Sequence, residues 1–195
     1  MMGEVGTFIR GRRFVKDDIV AEGVPCIHYG EMYTHYKIWA KKAKSFLEPT
    51  LAAKLRVAHP GDVIIVSAGE TIEDIGNGVA WLGESDIVIH DACFTYSHSL
   101  NPKYVSYYLQ TNLFRSQIKR YISSGKISSI NAPGLSKAKI PIPPMEEQER
   151  IVGILDRFDS LVNDISVGLP AEIQARRKQY EYYRGKLLDF KSLTH

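Results

Sequence analysis

The side chains of this 195-residue chain that stand out chemically are basic and aromatic, and they fall in three groups. Arg10, Arg12 and Arg13 surround Gly11 and are followed by Lys16. Glycine among arginines favours a turn that points the guanidinium groups outward. Such a loop could be a solvated basic face, or it could clamp phosphates and read guanine edges, tasks that suit the planar fork of arginine. His28, Tyr29 and Tyr33 lie at the end of a predicted strand over residues 24–28 and combine hydrogen-bonding edges with rings that stack. They could meet nucleic-acid bases, or simply cap a sheet. Lys126, Ser128 and Asn131 belong to a Ser/Lys/Asn-rich tract whose short polar side chains bond adaptably to bases and backbone.

Reaction chemistry finds little support. No nucleophile with an adjacent base, no glycine-rich phosphate loop and no metal-ligand cluster occurs in the sequence. Glu70, Glu73 and Asp74 could serve a metal or acid/base work, but capping of a helix start explains them more simply. Asn101-Pro102-Lys103-Tyr104 lacks the second proline of the Asn/Asp-Pro-Pro-aromatic pattern of amino-methyltransferases, and a helix cap accounts for the residues that match. Asp189 and Lys191 stand at a helix end, remote from any carboxylate-bearing strand. Cys26 and Cys93 are far apart and read as two reduced thiols. The expectation is a chain with no catalytic residue, no metal site and no cofactor of its own.

Composition agrees with an ordinary soluble protein, 44% hydrophobic and 24% charged. The net charge of +3 is unevenly spread, with ten Lys/Arg against six Asp/Glu in residues 1–60, seven against seven in 61–143 and eight against nine in 144–195. The amino-terminal excess is compatible with a phosphate-facing surface. No apolar run approaches the roughly 20 residues of a membrane span. The opening Met-Met-Gly-Glu-Val-Gly has neither the basic nor the apolar region of a secretory signal. A cytoplasmic protein without a membrane partner is expected.

These groups must be positioned by a mostly β region. Alternation and β-branched runs predict short strands over 5–9, 24–28, 63–66, 79–82, 87–90 and 93–97, and Pro49 opens a short helix. Asn101 and Pro102 start a helix whose apolar face, Val105, Tyr108, Leu109, Leu113, Ile118 and Ile122, continues to Gly125. Pro141, Pro143 and Pro144 then end the irregular part, and Glu146, Glu147 and Glu149 mark a helix start against the positive end of its dipole. Ile151, Leu155, Phe158, Val162 and Ile165 follow at spacings of four, three, four and three, a heptad seam that needs a partner helix. Gly168-Leu169-Pro170 interrupts it with a turn or kink. A second helix over 171–190 carries Ile173, Tyr180, Tyr183, Leu187 and Phe190 on one face. Arg176, Arg177 and Lys178 beside it are either solvated charge or a contact with a partner. The predicted class is α+β: a mostly β domain with a few helices over 1–143, then a long carboxy-terminal helical, coiled-coil region over 144–195, broken or kinked near 168–170.

The exit Leu135-Ser136-Lys137-Ala138-Lys139-Ile140-Pro141-Ile142-Pro143-Pro144 and the helix start Glu146-Glu147-Gln148-Glu149-Arg150-Ile151-Val152 resemble the specificity subunits of type I restriction-modification systems. Gly11-Arg12-Arg13-Phe14, Pro25-Cys26-Ile27-His28-Tyr29-Gly30, Ile72-Glu73-Asp74-Ile75-Gly76, Gly168-Leu169-Pro170-Ala171-Glu172-Ile173 and Arg176-Arg177-Lys178-Gln179-Tyr180 also look like sequences of that family. Full members carry two target recognition domains and two helical regions, and this chain has one of each, so it is similar to a half-size subunit. The resemblance implies a non-enzymatic DNA reader of one half of a bipartite double-stranded target. It also implies docking of a methyltransferase subunit that uses S-adenosylmethionine, with a restriction subunit joining later. Arg10, Arg12, Arg13, Lys16, His28, Tyr29, Tyr33, Lys126, Ser128 and Asn131 are then the candidate DNA contacts. Ile151, Leu155, Phe158, Val162, Ile165, Tyr180 and Tyr183 would form the dimer or partner helix surface. One reader and a split target imply a C2 homodimer through antiparallel helices. A helix of about 35 Å, at ~1.5 Å per residue, would set the spacing near one DNA turn. The alternative is a protein-interaction adaptor whose coiled coil drives assembly without DNA reading.

Overall fold

Val63-Ile64-Ile65-Val66 is fully buried along its length, as a run with no polar alternation must be when both faces of its strand are covered. The computed structural model describes residues 1–164 and 170–190, and their side chains except at 161–164, 170 and 171. In chain order, α1 (Met2–Val5) leads into β1 (Gly6–Arg10), and β2 (Ile19–Val20) and β3 (Val24–Ile27) precede α2 (Glu31–Thr34). Next come β4 (Trp39–Ala40), β5 (Ser45–Leu47), α3 (Pro49–Ala52), β6 (Val57–Ala58) and β7 (Val63–Val66). They are followed by β8 (Ala68–Gly69), β9 (Gly78–Trp81), β10 (Ile87–Ile89) and β11 (Cys93–His98). The remainder is α4 (Pro102–Leu109), α5 (Asn112–Lys119), β12 (Ser128–Ser129), α6 (Ala132–Ser136), α7 (Met145–Asp164) and α8 (Pro170–Leu188).

The strands form one five-stranded sheet in the order β1-β11-β7-β9-β4, a second in the order β2-β5-β3-β10-β6, and the pair β12-β8. Pairing is antiparallel except at β4–β9 and β3–β10. Alternate residues of β7 enter different cores. Val63 and Ile65 pack with Tyr104, Tyr108 and Leu109 of α4, while Ile64 and Val66 pack with Ile27, Ile87 and Ile89 of the second sheet. Phe14, Cys26, Leu47 and Val88 form a further cluster with Ala52 of α3. Burial pushes the thiols of Cys26 and Cys93 up to about 12, so both remain protonated at neutral pH.

Two expectations are corrected here. The helix predicted to run unbroken from Pro102 to Gly125 is divided, because the Thr111 hydroxyl donates to the Tyr108 carbonyl at 2.7 Å and accepts the Phe114 N–H at 3.2 Å, starting a second helix. The apolar period survives the break, so periodicity alone could not reveal it. Glu70, Glu73 and Asp74 precede no helix; they lie in a turn that closes at Gly76, where φ is +86°. A Cβ there would stand 2.6 Å from Ile118 Cδ1, so glycine is required on both conformational and packing grounds.

The carboxy-terminal helices complete the core of the β region. Ile151 and Leu155 are 1% and 0% exposed, in the cluster that contains α4. Tyr180, Leu187, Leu188 and Phe190 of the α8 segment join the same cluster, and Phe158 stacks on Tyr183 at 5.6 Å. α8 therefore packs back along α7, and the part of the seam expected to await another chain is covered within this one. Four-and-three spacing describes any amphipathic helix face, and here α4 and α8 supply the cover. The helical region expected over 144–195 is present as this pair, docked so that Ile151, Leu155 and Leu188 share a core with α4. The side chain of Val162 lies outside the described residues, as do Ile165 and, at the predicted break, Gly168 and Leu169. Pro170 is the first residue of α8.

Polar contacts fix this docking. Asp156 accepts from Lys103 Nζ at 2.6 Å and from the Tyr107 hydroxyl at 2.8 Å, and Lys103 lies 4.4 Å from the Trp39 ring centroid. Gln148, 2% exposed, accepts the Asn101 N–H at 2.9 Å and donates to the Pro143 carbonyl at 2.9 Å. The glutamine of the helix-start motif thus joins the proline exit to the cap of α4.

His98 gives the fold an acid sensitivity. Its Nδ1 accepts the Leu100 N–H at 3.2 Å, so the proton sits on Nε2, which is buried without a partner. Burial lowers its pKa to about 4, against the weaker opposing pull of Asp62 and of the Leu100 bond. The unfolded chain binds this proton first, so stability is lost as pH falls from about 6.5, the ordinary imidazole value, towards 4. We expect the urea midpoint to fall over that interval, and His98→Asn to reduce the fall.

Candidate nucleic-acid interface

The arginine loop is shaped by its glycine. Gly11 donates to the Cys93 carbonyl at 3.0 Å, and a Cβ there would lie 2.2 Å from the carbonyl oxygen of His90. Only glycine lets the chain leaving β1 pass this close to the 89–93 backbone. Arg10 Nε donates to the Asp91 carbonyl and Arg12 donates to the Lys54 carbonyl, each at 2.7 Å, while Arg56 donates to the Arg10 carbonyl at 2.7 Å. These bonds use one donor of each guanidinium and leave others outward. Arg13 and Lys16 are exposed and have no ion pair among the described residues.

Phe14, 2% exposed, anchors the loop and meets the rings of His90 at 5.1 Å and His28 at 5.9 Å. His28 lies 4.7 Å from Tyr29 and 4.9 Å from His90, and Tyr29 lies 5.1 Å from His90. The buried Glu31 carboxylate accepts the His28 N–H at 3.0 Å and the Ser45 hydroxyl, tying this segment to β5. Burial, aided by nearby Lys16, holds His28 below the ordinary imidazole range despite Glu31. Its Nδ1 accepts the Gly30 N–H at 3.3 Å, so Nε2 carries the proton and acts as a donor. His90 is likewise lowered, chiefly by burial.

The line of contacts continues through α2. Tyr33 is 37% exposed, and its hydroxyl lies over Gly69, where a Cβ would stand 3.1 Å away. Gly69 pairs with Ser128, which brings the tract carrying Lys126 beside the aromatic group. Arg13, Lys16, His28 and Tyr29 therefore gather around His90, and Tyr33 reaches the strand pair whose hairpin carries Lys126, with the Asp74 carboxylate at the same junction.

Ser128 is 4% exposed in its strand pair and so is covered, whereas Asn131 is exposed and caps α6 with its Oδ1 alone, which accepts the Gly134 N–H at 2.9 Å. Sequence reasoning missed His90, whose ring completes the cluster, and Arg56, which shapes the loop. His90 ends a predicted strand, and its only signal was a histidine at a strand exit. Among the described residues no three His, Cys, Asp or Glu side chains are grouped to hold a metal ion, and no helix is long and apolar enough to cross a membrane.

A basic and aromatic surface supported by a β sandwich with docked helices defines a binding module. Comparison with known proteins gives its family. The model of the type I restriction modification DNA specificity domain matches residues 1–175, and the chain belongs to that family. A Haemophilus influenzae protein assigned as a type I restriction enzyme specificity subunit is 30% identical over 194 residues, covering 97% of this chain and 47% of that protein. The specificity subunit of the Escherichia coli type I restriction enzymes EcoR124I and EcoR124II is 53% identical over 68 residues, covering 35% of this chain and 17% of its own length. This chain thus spans less than half the length of either. The crystal structure of the HsdS subunit from Thermoanaerobacter tengcongensis shares the fold with a TM-score of 0.56 and 21% identity, covering 96% of this chain and 42% of that one. The M. genitalium S subunit aligns with a TM-score of 0.53 and 16% identity over 84% of this chain and 39% of that one. The named relatives are specificity subunits, not catalytic ones.

Proposed function

We propose that this chain reads one half of a bipartite double-stranded DNA target and positions a methyltransferase subunit on it. The observation that carries this reading is the exposed basic and aromatic group in which Arg13, Lys16, His28 and Tyr29 gather around His90. Guanidinium and ammonium groups hold phosphates, while imidazole, phenol and guanidinium edges distinguish bases. S-adenosylmethionine belongs to the methyltransferase, and a restriction subunit joins the complex in the cytoplasm. A second copy, paired through the carboxy-terminal helices, supplies the other half-site reader. Tyr182 and Tyr183, 55% and 39% exposed on α8, offer apolar surface for such docking among the described residues. A cleft of about 980 Å³ beside α8, with Tyr33, Arg115, Glu181 and Arg184 on its walls, offers a docking partner both charges.

Binding of a labelled random-sequence duplex, measured at salt concentrations about fourfold apart, tests the DNA-facing reading. With a protein contacting several phosphates, log affinity falls with log salt at a slope of about −0.9 per phosphate. We expect a slope between roughly −3 and −6 for the chain with its methyltransferase partner. A flat response would favour the adaptor alternative.

A further inference from the structure

From Ala92 to Met145 the chain has seven Lys/Arg and no carboxylate. Five of these cations, Lys119, Arg120, Lys126, Lys137 and Lys139, are exposed in the region formed by the end of α5, the β12 hairpin and the end of α6. The Tyr121 ring sits beneath two of them, with Arg120 Cζ 4.8 Å and Lys137 Nζ 5.1 Å from its centroid. Gln117 binds both the N–H and the carbonyl of Lys139, at 2.8 and 3.2 Å, and so ties the α6 exit to α5.

A hairpin rises beside this cluster. Ser123 and Ser129 exchange backbone bonds of 2.8 and 3.0 Å, closing a loop whose tip is Ser124-Gly125-Lys126-Ile127. Ile127 is 63% exposed, more than the other exposed large hydrophobic side chains among the described residues. One isolated exposed isoleucine would mean little. This one stands at the tip of a loop beside five cations, and its strand is paired to Gly69 under Tyr33. A cationic base with an apolar tip fits a nucleic-acid groove, where phosphates flank base edges and thymine methyls or unstacked steps accept an aliphatic side chain.

We propose that the 123–129 hairpin enters a groove of the bound duplex, with Ile127 against base edges and Arg120 and Lys137 on flanking phosphates. This rests on the DNA-reading function above and adds Ile127 as a determinant of sequence preference. It also explains how Lys126 contributes although Ser128 is covered.

The test uses the full chain with its methyltransferase partner, a duplex enriched from a random pool by the wild-type protein, and an unselected random duplex. Ile127→Ala should bind the enriched duplex about tenfold more weakly and the random duplex unchanged. Arg120→Ala combined with Lys137→Ala should weaken both duplexes and reduce the salt slope by about two. Unchanged thermal midpoints exclude misfolding as the cause. Wild-type affinity for both duplexes in the Ile127 variant overturns the proposal, as does loss of methyltransferase capture with DNA binding intact, which would make this a protein-docking surface. Failure of the wild-type protein to enrich any sequence would defeat the DNA-reading function itself, a separate outcome.

Discussion

Leu155→Ala should lower the free energy of unfolding by about 2–5 kcal/mol, the usual cost of truncating a wholly buried leucine. The side chain is 0% exposed and shares a cluster with Tyr107, Tyr108 and Leu188. The size of the loss depends on how far α4 and α8 close over the cavity. A coiled-coil seam kept for a second chain would behave differently, because truncating it would weaken the dimer and leave monomer stability untouched. Urea unfolding at protein concentrations about a hundredfold apart separates the cases. A loss independent of concentration is expected; one that appears only at low concentration would restore the intermolecular seam.

Arg13→Ala carries the second large effect. Arg10 and Arg12 each give a donor to a backbone carbonyl, whereas Arg13 is exposed with its guanidinium uncommitted among the described residues and close enough to His90 to depress its protonation. If it reads a base bidentately, alanine costs about 1–3 kcal/mol, roughly five- to a hundred-and-fiftyfold in affinity, and relaxes preference at one base pair. Arg13→Lys should then recover little, because an ammonium lacks the planar fork. Recovery by lysine, with an equal effect on all sequences, would instead make Arg13 a phosphate contact.

Much of the scaffold was legible because its signals are local. Val63–Val66 reads as a strand buried on both faces because four β-branched residues allow no solvent face, and Asn101-Pro102 caps α4 as its side-chain chemistry dictates. The proline exit and acidic helix start likewise coincide with the beginning of α7. Local signals failed where the deciding partner is remote. Strands of two residues, such as Trp39–Ala40 beside Ala80–Trp81, exist through pairing across the fold, and no window of sequence shows them. Thr111 divides a helix without disturbing its period. Ile151 and Leu155 have the spacing of a coiled coil but the surroundings of a core.

The candidate surface was legible by residue type and illegible by commitment. Arginine, histidine and tyrosine near strand ends suggest a binding face, and Arg13, Lys16, His28 and Tyr29 lie close together. Nothing in the sequence shows that Ser128 is covered, because that depends on the strand that pairs with it. Ile127 is hidden for the opposite reason. Aliphatic residues are taken for core, and only its exposure marks it as available.

On the proposed reading, this surface selects a DNA sequence. Repeated selection from a random duplex library by the chain with its methyltransferase partner, followed by sequencing of the bound pool, tests it most directly. We expect enrichment of one defined half-site motif, repeated in inverted orientation about one helical turn away if two copies act together, with the enriched duplex bound at least about a thousandfold more tightly than random DNA. A bound pool indistinguishable from the input library would contradict it.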